Sequence, residues 1–97
     1  MILVIFRAKV KELDEEYYNA AKTLREIALN DYGCIEFNTF NNEDQEISIS
    51  YWKNLEDIKR WKENDEHLDA QKKGKSKWYS FYKVEIYTLL SNYEYSA

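Results

Sequence analysis

The chain has 97 residues, which suits one domain over 1–97 whose core buries roughly 60–70% of the extended surface. Its net charge is −4, and its basic residues gather only at Lys72, Lys73, Lys75 and Lys77 and at Lys59, Arg60 and Lys62, so it lacks the basic stripe of a nucleic-acid binder. Those two clusters read as solvated helix faces, with an anion-binding rim as the sharper alternative.

A single cysteine, Cys34, allows no internal disulfide and fits a reducing cytoplasm. A structural thiol is the default for it, because no base stands nearby in sequence. The apolar opening, residues 1–6, is too short to cross a membrane or to act as a secretion signal. Three Trp, nine Tyr and four Phe are more rings than so small a core can hide. Some must line a cavity or an interface.

Residues 1–10 read as a strand, apolar on both faces at its start. Asp14 is suited to cap a helix, with Glu15 and Glu16 at its positive end. Tyr17, Ala20, Ala21, Leu24, Ile27 and Ala28 follow at helical spacing, and Gly33 offers a left-handed exit. Residues 34–40 alternate as a strand, residues 41–45 form a turn by composition, and residues 46–52 form the second arm of a hairpin. In that arm Ile47, Ile49 and Tyr51 take one face, expected to be buried, and Ser48, Ser50 and Trp52 take the other.

Asn54 caps a second helix through Leu55, Ile58, Trp61 and Leu68 to about Lys73, with a break near Asn64 and Asp65 and a stop at Gly74. Residues 78–90 form the last strand. The order β-α-β-β-α-β is the ferredoxin-like α+β pattern, with helices on one face of a four-stranded sheet. The uncovered face is too apolar for water, so a second copy of the sheet is the simplest cover and a homodimer is expected.

The run Ile49-Ser50-Tyr51-Trp52, then Leu55-Glu56-Asp57-Ile58, Trp61-Lys62, Glu66-His67-Leu68-Asp69-Ala70-Gln71, Gly74, Trp78-Tyr79 and Tyr82 resembles the antibiotic biosynthesis monooxygenase (ABM) family, in its small stand-alone bacterial branch. The resemblance spans essentially the whole chain. It implies a dimeric α+β barrel of two ferredoxin-like units packed sheet to sheet. It also implies either a cofactor-independent monooxygenase of phenolic or polycyclic compounds or a haem-degrading enzyme. The haem-degrading branch carries an Asn on the first strand, a Trp on the second helix and a ligating His ten positions later. Trp61 matches, but the His position falls on Gln71 and the Asn position near Phe6 or Arg7. A glutamine amide is a poor iron ligand, and His67 lies one turn before Gln71.

His67, the only histidine, is the candidate catalytic residue: it titrates near neutrality and sits on the helix that the resemblance points at a cavity. Its role would be a general base on a phenolic or enolic proton. Beside it, Trp61, Gln71, Trp78, Tyr82 and Ser50 are candidate substrate-binding residues. The simpler reading makes Trp61, Trp78, Tyr79 and Tyr82 core or interface, Ser48 and Ser50 locally bonded or solvated, and Gln71 a surface residue. Asp65, Glu66 and Asp69 read as a solvated face. No glycine-rich phosphate loop and no Cys/His cluster with metal spacing is present, so no metal site is expected. The expected function is a cofactor-independent monooxygenase acting as a homodimer on a small aromatic or polycyclic compound. The alternatives are a non-catalytic small-molecule binder on the same scaffold and a haem protein.

Overall fold

The chain's capping residues set its helices. In a computed structural model describing residues 1–97, Asp14 Oδ1 accepts the Tyr17 N–H at 2.8 Å, Asn54 Oδ1 that of Asp57 at 2.9 Å and Asn64 Oδ1 that of Glu66 at 2.8 Å. These caps start α1 (Glu15–Asp31), α2 (Leu55–Lys62) and α3 (Asp65–Lys73). Around them run β1 (Ile2–Val10), β2 (Glu36–Asn42), β3 (Gln45–Trp52) and β4 (Tyr79–Thr88), and a π-helical turn (Gly74–Trp78) joins α3 to β4. The break expected near Asn64 thus divides the second helix into α2 and α3. The order is the ferredoxin-like one with that helix split.

The sheet order is β2-β3-β1-β4, antiparallel throughout. Val4 faces Ser50 on one side and Ile86 on the other, and Phe6 faces Ser48 and Val84. This register puts Val4, Phe6 and Ala8 of β1, Ser48, Ser50 and Trp52 of β3, Phe37 and Thr39 of β2, and Tyr82 and Val84 of β4 on one face. The helices cover that face. Val4, Ala28, Cys34, Trp52, Ile58 and Trp61 form the core, with Trp52 and Ile58 fully enclosed. Each large apolar side chain so buried contributes roughly 1.5–3 kcal/mol. No helix is long and apolar enough to cross a membrane.

Three expectations need correction. The strand expected from Cys34 starts at Glu36. The Cys34 N–H instead bonds the Ala28 carbonyl at 3.0 Å and closes the end of α1, with Gly33 at φ +77°. Gly74 does not end the helix: it keeps right-handed helical geometry (φ −57°, ψ −47°) and the chain widens into the π turn, so β4 begins at Tyr79 rather than at Trp78. Glycine suits the position because a Cβ would sit 3.1 Å from the Tyr79 ring. Finally, the two faces of β3 exchange roles. Ser50 is buried under the helices and Ile47 and Ile49 lie half-buried on the open face, because Trp52 claims the core side.

Gly33→Ala will destabilise the fold by roughly 1–2 kcal/mol, since a Cβ in the left-handed region is strained and would lie 3.2 Å from Asp57 Oδ2. A urea midpoint equal to that of the parent chain would show that this exit does not anchor α1.

Candidate functional site

The helices do not seal the sheet completely. A cavity of about 190 Å³ lies between the inner face of the sheet and the α1–α3–π-turn layer. Its floor comes from Val4, Phe6, Ser48 and Ser50, and its roof from Ala20, Ala21 and Leu24, the small face of α1. Gln71 and His67 enter from α3, Trp78 from the π turn and Tyr79 and Tyr82 from β4. All six residues singled out from the sequence, His67, Trp61, Gln71, Trp78, Tyr82 and Ser50, border this one space.

Several of them hold structure as well as cavity wall. Trp61 is 7% exposed and belongs to the core; its Nε1–H donates to the Leu24 carbonyl at 3.2 Å. Trp78, 3% exposed, donates its Nε1–H to Asp14 Oδ1 at 3.2 Å and so fastens the π turn to the cap of α1. Ser50 Oγ accepts the Trp52 indole N–H at 2.9 Å. Tyr82 stacks on Phe6 with ring centres 5.7 Å apart.

His67 presents its ring edge-on to Trp61, centre to centre 4.4 Å, and its buried Nδ1 has no hydrogen-bond partner. Burial first, and then the nearby Lys62 charge, lower its pKa from 6.5 to about 4. The expectation that His67 titrates near neutrality is therefore overturned: the imidazole is neutral at physiological pH. Lys62 borders the same cavity.

Sequence reasoning misses one residue here. Glu46, at the start of β3, is 3% exposed; one carboxylate oxygen accepts the Tyr79 hydroxyl at 3.1 Å and the other has no partner. Burial raises its pKa. Its parity with Ser48 and Ser50 places it on their face of β3, but that face is the one expected to lie open, so the sequence carries no signal of its burial. The carboxylates that the sequence does bring forward, Asp65, Glu66 and Asp69, are not buried, and Asp69 pairs with Lys73 at 2.9 Å. Cys34 is buried, its Sγ–H directed at the Glu36 carbonyl at 3.3 Å, and burial raises its pKa, as suits a structural thiol. No group of three or more His, Cys, Asp or Glu side chains gathers to hold a metal ion.

The site does not fit a haem. Gln71 offers an amide where that chemistry needs an imidazole, and Phe6 packs in one cluster with Tyr79 and Tyr82. The volume also falls below the roughly 300–1,000 Å³ of pockets for drug-sized ligands.

Because the folded state resists protonating His67 while the unfolded chain binds that proton near pH 6.5, the unfolded state holds more protons between pH 6.5 and 4. Stability should fall across that window as pH is lowered, by up to about 3 kcal/mol, and level off below it. Urea unfolding of the parent chain and of His67→Gln at pH 7 and pH 4.5 checks this. The variant should lose less stability on acidification, and equal losses would contradict a half-buried neutral imidazole.

The comparisons with known proteins agree with this architecture. The family model for antibiotic biosynthesis monooxygenases matches residues 1–73. The uncharacterised protein YqjZ of Bacillus subtilis is 31% identical over 84 residues, covering 86% of this chain and 74% of that protein. A candidate antibiotic biosynthesis monooxygenase from Nitrosomonas europaea superposes with a TM-score of 0.78 at 20% identity, over 94% of this chain and all of the other. SnoaB, a cofactor-independent oxygenase from Streptomyces nogalater, superposes with a TM-score of 0.77 at 10% identity, over 94% of each chain. The structural likenesses speak for the fold; the family match and the Bacillus relative carry the assignment. The chain belongs to the antibiotic biosynthesis monooxygenase family.

Proposed function

We propose that the protein is a homodimeric monooxygenase that oxidises a small aromatic hydroxy compound without a bound cofactor. The observation that carries this reading is the neutral His67, set edge-on against Trp61 in an aromatic-walled cavity. A neutral imidazole keeps one ring nitrogen as an acceptor for a hydrogen bond from a substrate hydroxyl, and no protein group competes for Nδ1. As that hydroxyl ionises, its proton passes to His67, and the electron-rich ring carbon is open to oxygen. A ring C–H that ends as a quinone carbonyl, with loss of the hydroxyl hydrogen as well, balances with one O₂ in and one water out, so the substrate supplies both electrons.

The cavity size supports one substituted ring rather than an extended polycycle. A space of about 150 Å³ takes a single benzene, and this one is about 190 Å³. Trp61, Trp78 and Tyr82 would flank the ring, and Ser50 and Gln71 would meet its polar edge. The buried free thiol of Cys34 fits a cytoplasmic setting.

The homodimer is supported by the helix-free face of the sheet. Phe40, Phe81 and Tyr87 are 60%, 55% and 44% exposed there, and Ile5, Ile47, Ile49 and Tyr51 lie half-covered beside them. A contiguous apolar face of this kind calls for a partner. Light scattering at micromolar concentration should give twice the chain mass of 11.8 kDa; a monomer would contradict the dimer.

A second reading, non-catalytic binding of the same compounds, is favoured by the weak basicity of an imidazole whose pKa is about 4. Oxygen uptake over a panel of small dihydroxyarenes separates the two. The enzyme reading predicts uptake that His67→Ala lowers about 10²-fold or more. Saturable quenching of tryptophan fluorescence without any uptake would favour the binder instead.

A further inference from the structure

A second polar couple lies at the cavity wall, on strands rather than on α3. Tyr79 borders the cavity, and its hydroxyl donates to Glu46 Oε2 at 3.1 Å. The ring is held in place on several sides. Phe6 lies 5.4 Å away, Tyr17 and Tyr82 each 6.3 Å, and the Gly74 backbone is so close that a Cβ there would press on the ring. Glu46 is 3% exposed and has one hydrogen bond for two oxygens. Its cross-strand neighbours, Ala8 and Asn41, carry no charge, and the ionisable groups around Tyr79 are Glu46 and the phenols of Tyr17 and Tyr82. No cation compensates the carboxylate.

A purely structural clasp for a tyrosine hydroxyl needs only a neutral acceptor. A buried carboxylate with an unpartnered oxygen is a costly way to provide one. Its benefit is that it can take up a proton. Moreover, burial displaces His67 and Glu46 in opposite senses, weakening the imidazole as a base and strengthening the carboxylate that stands behind Tyr79. Such divergence is how acid and base roles are distributed within one site.

We propose that Tyr79 and Glu46 form a two-membered proton relay, in which a ligand hydroxyl gives its proton to the Tyr79 oxygen as the Tyr79 proton passes to Glu46 Oε2. One O–H bond breaks on the ligand, one forms and one breaks on Tyr79, and one forms on Glu46. The single negative charge moves from the carboxylate to the ligand oxygen, where the re-formed Tyr79 O–H donates to it. Tyr79 is the contact residue and Glu46 the positioning residue behind it. The relay rests on the reading of this cavity as a site for aromatic hydroxy compounds, and it gives such a ring a second proton acceptor on a different element from His67.

The test uses 4-nitrophenol, whose yellow phenolate reports its own ionisation, bound to the parent chain, to Glu46→Gln and to Tyr79→Phe. Absorbance titration should show the bound probe half-ionised about one pH unit lower in the parent chain than in either variant. If Glu46 were only a nearby charge, its removal would make the probe ionise more easily, which is the opposite sign. Equal ionisation in all three proteins, or easier ionisation in Glu46→Gln, would overturn the relay while leaving the aromatic site intact. Failure of the parent chain to bind the probe would overturn the aromatic reading and the relay with it. Urea midpoints establish that each variant is folded, and Glu46→Gln, which keeps the side-chain shape, decides alone should Tyr79→Phe not fold.

Discussion

The indole of Trp61 joins the part of the molecule that holds the fold to the part that can hold a ligand. Its N–H ties α2 to the Leu24 carbonyl of α1, and its ring packs on Trp52 at 5.3 Å and Phe37 at 5.9 Å. The same ring meets His67 at 4.4 Å. Helix α2 has only eight residues, too few to persist alone. Ile58 and Trp61 therefore anchor it, and the position of α3 beyond Asn64 follows from that anchor.

The cavity exists because the helical layer is well filled on one side and thin on the other. The core gathers under α2 and the C-terminal half of α1. Helix α3 has no fully buried residue, and the roof contributed by α1 at that end includes Ala20 and Ala21. What keeps this loosely packed side in place is polar. Lys73 reaches Glu16 and Asp69, each at 2.9 Å, and Lys77 reaches Asp14 at 3.1 Å and Glu16 at 3.4 Å. Each such exposed pair is weak by itself, but together with the Trp78–Asp14 hydrogen bond they tie the π turn to the start of α1. Two lysines of the basic cluster, whose sharper reading in sequence is an anion rim, are thus engaged in latching two helices.

The features legible in the sequence were those governed by local chemistry. Asp14, Asn54 and Asn64 act as caps where their side chains are placed to do so, and Gly33 turns left-handed where a helix must end. The helical spacing from Tyr17 to Ala28 identified the face of α1 that meets the sheet. Period-two alternation showed that residues 46–52 form a strand, but it could not say which face turns inward. Both faces contain apolar residues, and the choice was made by Trp52 docking on Trp61, a contact between separate elements. Gly74 looked like a stop signal, yet its reason is the Tyr79 ring lying against it. The six candidate residues did come together around one cavity. The protonation of His67 and the burial of Glu46 were not legible, since both depend on how much water the finished fold excludes.

A neutral, half-buried His67 facing an aromatic cavity that receives small hydroxyarenes is the centre of the functional reading. Because this is the chain's only histidine, its imidazole gives a single, unambiguous set of NMR signals. Following them against pH, with and without a saturating small phenol, tests that reading most directly. The expected result is a titration centred at about pH 4 and a shift of the same signals when the phenol is added at pH 7. A titration near pH 6.5 that the phenol leaves unmoved would contradict it.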